Sequence, residues 1–463
     1  MVGPQDFTEA IDPDALKVVR RLLTAGHEAY LVGGCVRDLY LGRRPKDFDI
    51  ATSATPEVIR RLFRNSRIIG RRFKLAHVFF GAKIIETATF RSAPLHSEDD
   101  PLITHDNEWG SVEDDARRRD FTINGLFFDV ETEKIVDFVD GMDDLDARLI
   151  RTIGDPATRF REDPVRMIRA VKFAARLGFN FEPATYAALL EVAPDIVKCS
   201  KARVLEEIYK LLRSGSARRT FELMLEVGLF EHVMGPYLRL FGEPVAAKAA
   251  LLAAATNADA DPLEPATLLW RLLGALDKYV SQTDEAVING VLQAVLFAPM
   301  VGRDLAAGNR QNLDRTIDNR MGAVGAVMGI ARRDRELARQ ILMAHQRLIE
   351  PAGRRRRSGM TTRQYLHDAL VFLALWVDAI GNGRNELAQW QRMAQQGQGP
   401  NASGSGQSGA GQEPGRSGGG PDGGEPTGGR KRRRRGGRGK RSGDEEAVEP
   451  AVERGPGAHV DGT

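Results

Sequence analysis

The chain has 463 residues, enough for roughly two to four ordinary domains. At 42% hydrophobic it can bury a core, and no apolar run reaches the roughly 18 residues of a membrane span, which excludes an integral membrane protein of the helical kind. The net charge of +3 hides an uneven distribution. Residues 397–463 hold 21 of the 48 glycines, 11 basic and 9 acidic residues, a net +2 that leaves +1 for residues 1–396. Nine of the twelve residues Arg430–Arg441 are basic. The opening MVGPQDFTEAIDPDALK has acids and no apolar stretch of the secretory kind, and Cys35 and Cys199 support neither a disulfide framework nor a cysteine-rich zinc site. Cytoplasmic placement is expected.

In chain order, residues 14–25 predict an amphipathic helix ended by Gly26. AYLVGG is a short strand stopped at Gly33-Gly34, CVRDLYLG a short helix, and KDFDIAT a strand by its period-2 alternation. PEVIRRLF is a helix opened by Pro56, HVFFG and KIIETATF are strands, and a polar loop spans about 92–109. RDFTINGLFFDV is mixed, and KIVDFV is a further strand. Beyond about residue 150 only helical patterns remain: 163–177, 184–193, 202–213, 217–225, 246–255, 266–276, 284–296, 332–348 and 362–380. The last 67 residues, rich in Gly, Ser and Pro, bury too little apolar surface to offset ordering and are expected to be disordered. The fold class expected is an α/β head, an all-α body and a disordered tail. The divisions are 1–25 (an N-terminal helix), 26–150 (the head), 151–235 (a helical neck), 236–396 (a helical body) and 397–463 (the tail).

Asp47 and Asp49 are two apart on a predicted strand, so both carboxylates share one face while Phe48 and Ile50 point inward. Such a pair is either a solvated strand face or a seat for Mg²⁺, which binds through one or two carboxylates and substrate phosphates. The preceding Gly33-Gly34 turn lets backbone approach a ligand, the helix start after it suits an anion, and Arg37 is a charge-assisted donor for phosphate. Neither a dinucleotide fingerprint nor a Walker loop is present.

LVGGCVRDLYLGRRPKDFDIAT resembles the head motif of the nucleotidyltransferase superfamily, in the branch of class II tRNA nucleotidyltransferases and bacterial poly(A) polymerases. Gly33, Gly34, Val36, Arg37, Asp38, Leu41, Gly42, Asp47 and Asp49 meet every fixed position of that motif. The resemblance implies two Mg²⁺ ions on Asp47 and Asp49, with ATP as substrate. Asp120, in RRRDFTIN, matches the family's third active-site aspartate; Glu86 competes for that place, or else pairs with a base such as Arg91. Arg118 and Arg119 are implied to hold ribose or phosphate.

In RFREDPVRMIRAVKFAARLG, Asp163 is placed to cap a helix with Pro164 at its first position. Arg166, Arg169 and Lys172 repeat on one face, by pattern alone a basic outer stripe. Glu162, Asp163, Arg166 and Arg169 match the family's base-selecting motif, so the resemblance implies that they read the incoming base by donors and acceptors. The block from Ile68 to Val78 resembles bacterial poly(A) polymerases more closely than CCA-adding enzymes; His77 within it reads as a structural histidine. Arg432, Arg433, Arg434 and Arg435 in the tail, and the run at 353–359, suit RNA backbone. Residues 360–393 resemble the family's closing helices, with Trp376 and Trp390 expected in the core, and no HD-type hydrolase motif is seen. The expectation is AMP addition to RNA 3′ ends of mRNA and decay intermediates, with RNA-degradation machinery as a candidate partner and no membrane. The alternatives are a CCA-adding or A-adding tRNA enzyme and a non-catalytic RNA-binding protein.

Overall fold

The computed structural model describes residues 7, 9–70, 74–92, 108–307, 313–349 and 363–397. Helix α1 (Pro13–Thr24) opens the ordered head. The Asp12 side chain caps it, Pro13 takes the first position, and Ala15, Val18, Val19 and Leu22 form its buried stripe. The strands are β1 (Ala29–Val32), β2 (Asp49–Thr52), β3 (Ser66–Ile69), β4 (Leu75–Phe80), β5 (Lys83–Thr89), β6 (Leu126–Asp129) and β7 (Lys134–Asp137). They form one mixed sheet in the order β3-β4-β5-β2-β1-β6-β7. Only the β2–β5 pair is parallel within it. Between strands lie α2 (Gly34–Tyr40), α3 (Pro56–Leu62), α4 (Val112–Arg117) and α5 (Gly141–Ala147). Leu31, Ile50 and Phe128 face the main core under α1, whereas Val32, Ala51, Phe90 and Phe127 form a small cluster with Ala116 of α4 on the other face.

The neck holds α6 (Pro156–Glu162), α7 (Val165–Leu177), α8 (Pro183–Val192), α9 (Lys201–Leu212), α10 (Ala217–Glu226) and α11 (Leu229–Leu238). The body holds α12 (Pro244–Thr256), α13 (Pro265–Gln282), α14 (Asn289–Phe297), α15 (Gly302–Ala307), α16 (Leu313–Met328), α17 (Arg332–Ile349), α18 (Leu366–Ile380) and α19 (Arg384–Gly397). Among the described residues one large apolar cluster takes members from Phe7 to Ala379. Trp376 and Trp390 are buried as expected, the latter donating 3.0 Å to the Leu348 carbonyl.

Several local expectations change. Strand β3 and helices α4, α5, α6, α11, α15, α16 and α19 were not foreseen. Strand structure also continues past residue 150: β8 (Leu149–Ile150) pairs in parallel with β9 (Asn180–Phe181). Two-residue strands carry no period to detect. The tail with Arg432–Arg435, the run at 353–359 and most of the loop at 92–109 lie outside the described residues.

Candidate active site

The sheet register builds the centre of the site. Val32, the last residue of β1, stands opposite Asp49, the first of β2, and Asp49 stands opposite Glu86 of β5. The Gly33-Gly34 turn therefore leaves the sheet directly beside Asp49. Gly33 has φ 74°, a conformation that favours glycine, and a Cβ there would stand 3.2 Å from Arg119 Nη1. Asp47 lies just before β2 rather than on it, yet Asp47 and Asp49 remain exposed while Phe48 and Ile50 are buried, as alternation required. Desolvation by the surrounding chain first, and the Glu86 carboxylate second, push the Asp49 carboxyl up to about 6; Asp47 adds to this and Arg119 opposes it. Like charges gathered with so little neutralisation suit a divalent cation held by Asp47 and Asp49 together with substrate phosphates. Among the described residues no three carboxylate, imidazole or thiol groups converge into a complete metal cage.

Glu86 sits half-exposed with His77 Nε2 at 3.4 Å from its carboxylate, and among the described residues no contact between Glu86 and Arg91 is seen. Asp120 has a different environment. It is buried; its Oδ1 accepts from Phe121 N at 2.9 Å and Asn124 Nδ2 at 3.1 Å, and its Oδ2 lies 2.7 Å from Arg169 Nη2. Burial alone would raise its carboxyl, but Arg169, the Asn124 amide and Arg166 outweigh that and hold it below the usual range. Asp120 is expected either near the nucleotide sugar or in the acidic group; the sheet register puts Glu86 beside Asp49, and Asp120 meets Arg169.

Arg37 also departs from expectation. Its guanidinium is buried, with Nε and Nη2 donating to Asp38 Oδ1 at 2.9 and 2.7 Å and Nη1 to Asn124 Oδ1 at 2.5 Å. Three of its five N–H groups are thus engaged inside the protein. The Gly33 amide is likewise spent on the Leu126 carbonyl at 3.0 Å, so of the turn it is the backbone's closeness, not that N–H, that is available to a ligand. Arg119 is the better-placed cation. It pairs with Asp115 at 2.8 Å, stacks 5.2 Å over Phe127 and reaches over Gly33 on the Asp49 face. Arg118 is partly buried beside it, and both residues offer their backbone carbonyls to Arg159 Nη2 at 2.7 Å.

The base-selecting string is assembled, though not as an outer stripe. Arg166 is buried and donates 3.0 Å to both the Glu162 carboxylate and the Arg159 carbonyl. Lys172 faces Glu207 of α9 at 3.3 Å. Asp163 does not cap α7 with its side chain: Pro164 holds the cap position, and Asp163 Oδ2 accepts from Arg203 of α9 at 2.8 Å. Its Oδ1 is buried without a hydrogen-bond partner among the described residues. Arg159, Arg203 and Glu207 escaped sequence reasoning. The acid three residues after Arg159 was a usable signal; for Arg203 and Glu207, brought in from another helix, there was none.

Comparison with known proteins adds two domain matches. Residues 29–151 match the poly A polymerase head domain, and residues 178–241 match the probable RNA and SrmB-binding site of polymerase A. The chain is 49% identical over 242 residues to poly(A) polymerase I of Salmonella typhimurium, covering 50% of this chain and 52% of that protein. It is 39% identical over 235 residues to the CCA-adding enzyme of Leuconostoc mesenteroides, covering 51% and 57%. The chain thus spans about half the length of the curated relatives it matches. Among solved structures, the Bacillus stearothermophilus CCA-adding enzyme in complex with CTP superposes with a TM-score of 0.56 at 26% identity, over 83% of this chain and 82% of that one.

Proposed function

We propose, for a chain whose residues 29–151 belong to the poly(A) polymerase head-domain family, that it adds AMP units from ATP to RNA 3′ ends without a template and releases pyrophosphate. The observation that carries this reading is the register that seats Asp49 between the Gly33-Gly34 turn and Glu86, with Asp47 on the same exposed side. Asp47 and Asp49 hold Mg²⁺, expected as two ions. The metal, when bound, supplies charge neutralisation for the attacking RNA hydroxyl and the departing pyrophosphate.

The protein's own groups do the rest. Arg119, on the same face and close to Gly33, binds the triphosphate. Asp163 and Arg166 present an acceptor and donors to the base edge, Arg166 being held rigid by Glu162. Asp120 acts through Arg169 as a positioning group rather than as a metal ligand. RNA lies along the neck segment 178–241, with Arg432–Arg435 adding a sequence-independent contact.

The test is an incorporation assay with purified protein, Mg²⁺ and either ATP or CTP, on a generic RNA and on a tRNA lacking its CCA end. A long A ladder on generic RNA supports the reading. Asp49→Asn and Asp47→Asn should each cut incorporation by about a thousandfold or more while leaving RNA binding in place. Full activity in either variant refutes the metal-site assignment. The likeness to CCA-adding enzymes favours one second reading, completion of tRNA ends. Incorporation that stops after C, C and A on the tRNA would select it.

A further inference from the structure

The neck helix α7, which carries Arg166, is fastened to the head along one face. Arg169, Phe173 and Arg176 stand at i, i+4 and i+7 and so line up on that face. Arg169 Nη2 lies 2.7 Å from Asp120 Oδ2. The Phe173 ring meets the Arg37 guanidinium at 5.1 Å and Phe121 edge-on at 5.8 Å. Arg176 Nη2 donates 2.8 Å to Asp38 Oδ2. The head residues are themselves joined: Asp38 Oδ1 takes the Arg37 fork, Arg37 donates to Asn124, and Asn124 donates to Asp120. Arg169–Asp120–Asn124–Arg37–Asp38–Arg176 is therefore a closed circuit that leaves α7 at one residue and returns to it two turns later.

We infer that this circuit is the positioning device that sets the base-selecting helix on the catalytic head, with Asp38 and Arg176 as its far clamp. The inference rests on the proposed function for the meaning of "base-selecting". Four of the six side chains (Arg37, Asp38, Asp120 and Asn124) are buried, so each of these four needs its partners in one arrangement. Removing one partner of a buried ion pair leaves an uncompensated charge, so the pairs hold together as a unit. Arg166 lies one turn before Arg169 on the same helix, and Asp38 follows the Gly33-Gly34 turn by one helical turn. A tilt of α7 therefore moves Arg166 relative to the turn where the phosphates bind. Asp38 and Arg176 act through α7 and not on the nucleotide itself.

The test uses the full chain and its Arg176→Gln, Asp38→Asn, double and Arg176→Lys variants. The readouts are displacement of a fluorescent N-methylanthraniloyl-ATP by ATP and by CTP, and thermal unfolding. The single variants should lose about tenfold of the ATP-over-CTP discrimination while remaining cooperatively folded. The double variant should be no worse than the poorer single, because the two residues share one contact. Arg176→Lys, which keeps one charged donor, should recover part of the loss. Unchanged discrimination in folded Arg176→Gln overturns the inference. So does an equal weakening for both nucleotides, which would mark a purely structural role. A wild-type protein that discriminates in displacement but incorporates nothing refutes the proposed function and leaves this readout intact. Absence of discrimination in the wild type refutes the positioning role itself.

Discussion

His345 in α17 offers a sharp test of the packing of the helical body. Its ring is fully buried, 4.6 Å from Trp376 and 5.5 Å from Phe372, and neither ring nitrogen has a hydrogen-bond partner among the described residues. Burial pushes the imidazole down to about 3, against about 6.5 in the unfolded chain. As pH falls below about 6.5 the unfolded chain takes up this proton and the folded one does not, so the unfolded state binds more protons and stability falls. The stability is fully present above about pH 6.5 and lost progressively down to about pH 3, at about 1.4 kcal/mol per pH unit. Near pH 5 the loss from this residue is about 2 kcal/mol. His345→Leu, close in volume, removes both the titration and the unpaired polar atoms. It should stabilise the body by about 1–3 kcal/mol near neutral pH. That advantage should widen by about 2 kcal/mol near pH 5. Urea unfolding followed by tryptophan fluorescence measures both values, and titrations elsewhere cancel in the difference between the two proteins. An advantage that is equal at the two pH values would refute the claim that a neutral, unpaired imidazole sits in this core.

Two further outcomes are expected. Arg37→Ala should behave as a folding defect, costing about 3–5 kcal/mol because Asp38 and Asn124 lose a buried partner; an unchanged melting temperature would show that the guanidinium is not committed to them. Truncation after residue 397 should make the dependence of single-stranded RNA affinity on log salt shallower by about 0.7 for each phosphate that the tail neutralises; an unchanged slope would remove the tail from the RNA-binding account.

Short-range spacing determined much by itself. Two aspartates two apart must share a side of an extended segment, and Asp47 and Asp49 do. The stripe of α1, the glycine turn after β1 and the helices α8, α9 and α10 were likewise legible, because each is set by residues within a turn or two of one another. What only the tertiary structure decided is which charges meet. Arg37 and Arg119 look alike in sequence, yet one is consumed by Asp38 and Asn124 while the other reaches over Gly33 on the Asp49 face. Glu86 joins Asp49 through a parallel pairing of strands far apart in the chain, and Asp120 is claimed by Arg169 from the neck. A carboxylate's role depends on the nearest opposite charge and on how much water is left around it. Both are set by long-range packing, which local spacing does not encode.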